Sequence, residues 1–163
     1  MGLAYNPEMF KKEDIPTSFK DFAYDTNAKG MISMSNPLTS GTAMATIVGL
    51  QSKYGDEYFD ALGKQDVMIE SGSSALAKLE TGECKVIMIL EESVLKKREE
   101  EGSTLVWFIP DDGDVLVPST VMTVAEDKSA NKNTKACEAI TDWLLSEEGQ
   151  SYIVKGWMHS VLT

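Results

Sequence analysis

The chain has 163 residues, 42 % of them apolar and 25 % charged, which is enough length for one compact domain and the balance of a soluble globular protein. With 26 acidic against 15 basic residues the formal net charge is -11, which excludes a basic face for neutralising nucleic-acid phosphates. No apolar run approaches the roughly 18 residues of a membrane-spanning helix.

Leu3-Ala4-Tyr5 reads as a short strand, closed by the turn Asn6-Pro7. Residues 10–16 are a loop, and Thr17-Ser18 caps a short helix from Phe19 to Phe22. Met31 to Met34 is a second strand, ended by Asn36-Pro37, after which Thr39-Ser40-Gly41-Thr42 opens a helix that stops near Tyr54-Gly55. Asp56 to Leu62 is a helix with Tyr58, Phe59 and Leu62 at helical spacing. Val67 to Ile69 is a strand, and Ser71-Gly72-Ser73-Ser74 starts a helix ending at Thr81-Gly82.

Val86 to Leu90 is an unbroken apolar run, expected to be a strand buried on both faces. A helix from Glu91 to Glu101 follows, then a buried strand from Leu105 to Ile109 and a turn over 110–114. Val115 to Val124 reads as a strand interrupted by Pro118, and the last helices run from Asn133 to Leu145 and from Glu147 to Trp157. Strands and helices alternate, so the class is α/β, a sandwich with a largely parallel sheet.

No catalytic constellation is present. The lone histidine, His159, has no Cys or Ser motif beside it, and there is no dinucleotide fingerprint, P-loop or zinc spacing. The run Glu99-Glu100-Glu101 after Lys96-Lys97-Arg98 reads as a solvated helix face with opposite charges three to four apart. Cys84 and Cys137 read as small buried hydrophobes, with a disulfide as the alternative. Met1-Gly2 leads straight into an apolar strand without a signal peptide, which fits a cytoplasmic chain or a sequence beginning inside a longer precursor.

Two segments carry binding chemistry. Ser40-Gly41-Thr42 and Ser71-Gly72-Ser73-Ser74 each follow a strand and open a helix, where free backbone N–H groups and hydroxyls make an anion site and glycine admits close approach. Either alone also reads as an ordinary helix cap. Two such starts at one edge of a parallel sheet mark the place where α/β proteins hold ligands.

The ordered set Ala4-Tyr5-Asn6-Pro7, Pro16 to Phe22, Ala28 to Ile32, Asn36 to Ala43, Ser71-Gly72-Ser73, Leu79 to Glu83 and Ala139 to Gln150 resembles type 2 periplasmic binding proteins. The similarity is to their second lobe, and is greatest with the ferric-iron, phosphonate and sugar-phosphate branch. It implies a three-layer α/β/α lobe with a mostly parallel mixed sheet in residues 1–114. It also implies a return strand and helices in 115–163 that pack on a first lobe not contained in this chain.

The implied role is non-enzymatic. It is capture of a small anionic or zwitterionic solute outside the cytoplasm, in the periplasm or as a lipoprotein, for an ABC importer permease, with no cofactor. Ser40, Gly41, Thr42, Ser71, Gly72 and Ser73 would supply donors, and Glu91 would meet an ammonium. Ferric-binding relatives carry adjacent tyrosines where this chain has Leu90-Glu91-Glu92-Ser93, so a ferric carrier is the second reading and a small cytoplasmic α/β regulatory or enzymatic domain the third. Without its partner lobe the segment 115–163 is expected to fold back or to exchange with a second copy in a homodimer.

Overall fold

The structure is a computed structural model and describes residues 1–162. It divides into two compact units, Met1–Val117 and Pro118–Thr163. The first unit holds a five-stranded mixed sheet in the order β3-β2-β4-β1-β5. Its strands are β1 (Gly2–Tyr5), β2 (Ile32–Ser35), β3 (Met68–Glu70), β4 (Val86–Ile89) and β5 (Val106–Phe108). β2 pairs in parallel with both β3 and β4, while β1 runs against both of its neighbours, β4 and β5.

Period-two alternation divides the core between the two faces of the sheet. Leu3, Ile32, Met34, Val86 and Met88 point to one face, where they meet Phe19 and Phe22 of α1 (Phe19–Tyr24), Leu50 of α2 (Gly41–Tyr54) and Tyr58 and Leu62 of α3 (Asp56–Leu62). Ala4, Ile87 and Ile89 point to the other, against Leu76 and Leu79 of α4 (Gly72–Thr81) and Val94 of α5 (Glu91–Glu101). The three-layer α/β/α arrangement is therefore real.

Local signals place the helix ends. Ser40 and Ser71 cap α2 and α4 by accepting from the Ala43 and Ser74 amides, and α4 and α5 stop at Gly82 and Gly102, both left-handed. A Cβ at Gly2 would lie 2.5 Å from the Trp107 ring, so β1 and β5 can pair there only with glycine in β1.

In the second unit α6 (Thr134–Leu144) and α7 (Glu147–Lys155) form a helical hairpin capped at Ser146, which accepts from the Gly149 amide. Within it Trp143 and Tyr152 contact with ring centroids 5.8 Å apart. Gln150 Nε2 donates to the Leu144 carbonyl at 2.7 Å, and its Oε1 accepts from the Val161 amide at 2.9 Å.

Several expectations are corrected. Residues 115–124 form no strand. Val115 exchanges both backbone hydrogen bonds with Met1, but Pro118 removes a donor and no ladder continues beyond it; Leu116 and Met122 are exposed. β5 is half-buried instead of buried, because it is the sheet's edge. α1 runs on to Tyr24, and α7 stops at Lys155, because Trp157 has φ 66° and cannot continue it. Cys84 is buried as expected, but Cys137 is exposed on α6, and both thiols are free. Among the described residues no helix is long and apolar enough to cross a membrane.

Candidate functional site

β3, β2 and β4 are adjacent and parallel, so their carboxyl ends lie along one edge, and each feeds a helix there. β3 ends at Glu70 and passes through Ser71 directly into α4. β2 ends at Ser35 and reaches α2 through Asn36 to Ser40. β4 leads through Leu90 to Glu91, the first residue of α5. The seven residues read from the sequence therefore occupy three neighbouring helix starts at one sheet edge.

Ser35 and Glu70 are in register, and the Asn36 amide donates to the Glu70 carbonyl at 3.1 Å, which ties the α2 approach to the α4 approach. A Cβ on Gly72 would lie 3.6 Å from the Ser35 hydroxyl, so the strand end of one motif is in contact with the helix start of the other.

The hydroxyls are pre-arranged. Ser40 Oγ and Thr42 Oγ1 are 3.0 Å apart, and Ser71 Oγ lies 3.0 Å from Ser73 Oγ and 2.8 Å from Ser74 Oγ. Gly41, Ser71 and Ser73 are exposed, while Ser40, Thr42 and Gly72 are half-buried. Beneath this edge Ser33, fully buried, donates to the Met68 carbonyl or to Glu70 Oε1, and Lys78 Nζ stands 3.0 Å from Glu70 Oε2. The hydrogen bond from Lys78 to Glu70 raises the lysine's pKa, so the ammonium stays charged at neutral pH.

Glu91 sits two strands from β3, in the first turn of α5. Burial lowers the pKa of the Met1 amino group, and the charges of Asp114, Glu92 and Glu91 only partly offset it. The edge thus combines three helix starts, whose dipoles favour negative charge, with a carboxylate pair at Glu91 and Glu92 that favours positive charge. That combination suits a ligand bearing both signs.

Ser74, in the segment singled out from the sequence, belongs to the same edge, as do Ser35 and Asn36, which were not selected as ligand-holding; the signal for Ser35 was its place two residues after Ser33, on the same face of β2. A groove of about 430 Å³ lined by Phe10, Glu13, Asp14, Asp25, Asn27 and Lys85 lies at the amino ends of β2 and β4, the opposite edge, and includes none of the seven. Among the described residues no three His, Cys, Asp or Glu side chains are grouped to hold a metal ion.

The sequence matches the family described as bacterial extracellular solute-binding protein over residues 1–162. The chain belongs to that family. Three solved structures show how far the likeness extends. Iron-bound HitA from Pseudomonas aeruginosa is 22 % identical with a TM-score of 0.72, covering 94 % of this chain and 51 % of its own. AfuA from Actinobacillus pleuropneumoniae, with exogenous fructose-6-phosphate bound, is 25 % identical with a TM-score of 0.68, covering 96 % and 50 %. A periplasmic thiamin-binding protein is 17 % identical with a TM-score of 0.71, covering 99 % and 51 %. The chain spans about half the length of these structures and has the fold of a type 2 periplasmic binding protein lobe. No curated protein sequence matches it.

Proposed function

We propose that this chain forms the ligand-holding part of an extracytoplasmic solute-binding protein that delivers a small anionic or zwitterionic solute, of the phosphate, phosphonate or sugar-phosphate kind, to an ABC importer permease. The observation that carries this reading is the convergence of the three helix starts of α2, α4 and α5 on one sheet edge. Ser40, Gly41 and Thr42 hold one end of the anion through hydroxyl and backbone donors, Ser71, Gly72 and Ser73 supply a second set, and Glu91 meets a cationic group on the same ligand. The sugar phosphate bound to AfuA supports the anionic half of this assignment. The iron bound to HitA is the basis of the second reading, a ferric carrier.

In the same proposal residues 1–114 are one lobe and residues 115–163 the segment that returns to another, supplied by the rest of a longer polypeptide in the periplasm or on a lipid anchor. The half-length coverage of the relatives supports it, as do the exposed apolar residues Ile140, Trp143, Leu145 and Val154 of the second unit. Alone, the chain covers these residues by pairing with a second copy.

Calorimetry of the two-lobed protein with fructose 6-phosphate, inorganic phosphate and Fe(III) tests the assignment. Binding of a phosphorylated solute that is weakened by Thr42→Val supports it. Binding of Fe(III) and of neither fructose 6-phosphate nor inorganic phosphate transfers it to the ferric reading, a carrier without the usual tyrosine pair. Sedimentation of the chain at micromolar concentration tests self-association, and a monomer with a protease-resistant carboxyl-terminal segment counts against exchange.

A further inference from the structure

The segment that leaves the first unit is held down chiefly around Asp112. Asp112 accepts from the backbone amides of Phe19 at 3.0 Å and Lys20 at 2.9 Å, and from the Tyr54 hydroxyl. Its own carbonyl accepts from Lys53 Nζ. Next to it the Thr17 hydroxyl donates to Asp111 Oδ2 at 2.6 Å and the Asp111 amide to the Thr17 carbonyl at 2.9 Å. Val115 then exchanges hydrogen bonds with Met1, at 2.7 Å from the Met1 ammonium and 3.0 Å from the Val115 amide. The units divide two residues later, at Val117.

Asp112 joins two elements that nothing else in this loop joins. With Ser18, which caps the Asp21 amide at 2.9 Å, it satisfies the first orphan amides of α1, and through Tyr54 and Lys53 it grips the carboxyl end of α2. Tyr54 is itself fixed by stacking on the buried Tyr58, with ring centroids 5.2 Å apart. The other end of α2 carries Ser40, Gly41 and Thr42, so this anchor and the candidate site are the two ends of one rigid helix.

We propose that Asp112 is a positioning residue, a latch that fastens the connecting segment onto α1 and α2 so that the joint between the two units begins at Leu116 and not at Pro110. The latch works through charge-assisted hydrogen bonds whose donors lie on rigid elements, so its loss frees residues 111–115 without opening the sheet. The inference is independent of what the site binds.

Residue-resolved hydrogen exchange on the full chain tests it at the Asp111, Gly113 and Val115 amides, all hydrogen-bonded and none bonded to the Asp112 carboxylate. Asp112→Ala removes all three hydrogen bonds to that carboxylate and is expected to speed their exchange at least about tenfold, while the amides of β4 keep their rates. Tyr54→Phe removes one of the two α2 contacts, leaving that of Lys53, and is expected to produce a smaller rise in the same three amides; it decides the question alone should Asp112→Ala fail to fold. Unchanged exchange at these amides overturns the latch, and so does an equal rise in β4, which would make Asp112 a general support of the fold.

Discussion

Gly149 lies against the carbonyl of Trp143 so closely that a Cβ on Gly149 would overlap that oxygen and crowd the Leu144 Cα. The contact is backbone to backbone, so no side chain can move aside, and it fixes how α7 turns back on α6. Gly149→Ala is therefore expected to destabilise the α6–α7 hairpin by about 1–3 kcal/mol or more, the range of an overpacked site. Hydrogen exchange of α6 and α7 measured beside that of the sheet checks it. Unchanged protection of the hairpin would mean that the two helices can separate freely at this point.

Gly41 is the opposite case. A Cβ there meets nothing within 4 Å, and the residue opens α2 at a helical backbone conformation. Gly41→Ala should leave folding unharmed or stabilise it by about 0.4–1 kcal/mol through the unfolded chain. If a ligand approaches this backbone, as proposed, the same methyl weakens binding. A urea titration and a calorimetric titration on the same variant separate the two effects, and unchanged affinity removes Gly41 from the site.

Thr42→Val is a cleaner test of the hydroxyl than Ser40→Ala. Ser40 is the α2 cap, so its loss costs about 1 kcal/mol of helix stability whatever it binds. Among the described residues the Thr42 hydroxyl hydrogen-bonds only with that of Ser40. Its replacement should leave stability nearly unchanged while weakening a charged ligand by about 1.5–3 kcal/mol. Equal losses of stability and affinity would show that the residue acts through the fold.

Where the signal was local, the sequence could be read to the residue. α2 ends and α3 begins where expected at Gly55, and α4 and α5 end where expected at Gly82 and Gly102, because these glycines take the positive φ that stops a helix. The two serine caps were legible for the same reason. What depends on distant partners was not. Residues 115–124 have strand composition, but a strand exists only beside another, and composition cannot name the neighbour. The insertion of β1 against the direction of β4 and β5 was equally invisible, and with it the edge position that leaves Trp107 half-buried. Ser35 joined the site only because register sets it opposite Glu70.

Acid should loosen the Asp112 anchor. Burial pushes this carboxyl up, but hydrogen bonds from Tyr54, Lys20 and Phe19 and the charge of Lys53 outweigh it, so its pKa lies below the ordinary value of 3.8. A carboxylate depressed on folding contributes stability that is present above its unfolded pKa and is lost as pH falls through its folded one. Stability is therefore expected to fall on acidification below about pH 4, and the fall should be shallower in Asp112→Asn. Urea midpoints of both proteins between pH 2 and 6 measure it, and parallel curves would assign the acid lability to other carboxylates.

The two thiols should separate by reactivity. Cys84 is fully buried between α4 and β4, and burial, with Glu70 and Glu83 adding to it against Lys78, pushes its thiol up to about 11. Cys137 is exposed on α6. The thiolate is the nucleophile, so at pH 8 an aromatic disulfide reagent should modify one thiol per chain rapidly and the second only on unfolding. Cys137→Ser should abolish the fast phase. The sign at high pH follows from the same shift. A thiol raised on folding contributes stability that is fully present below its unfolded pKa near 8.5 and is lost as pH rises through its folded value. Stability should then decline between pH 9 and 11 by an amount that Cys84→Ala reduces. Rapid modification of both thiols in the native chain would show that β4 opens far more often than a strand buried along its whole length should.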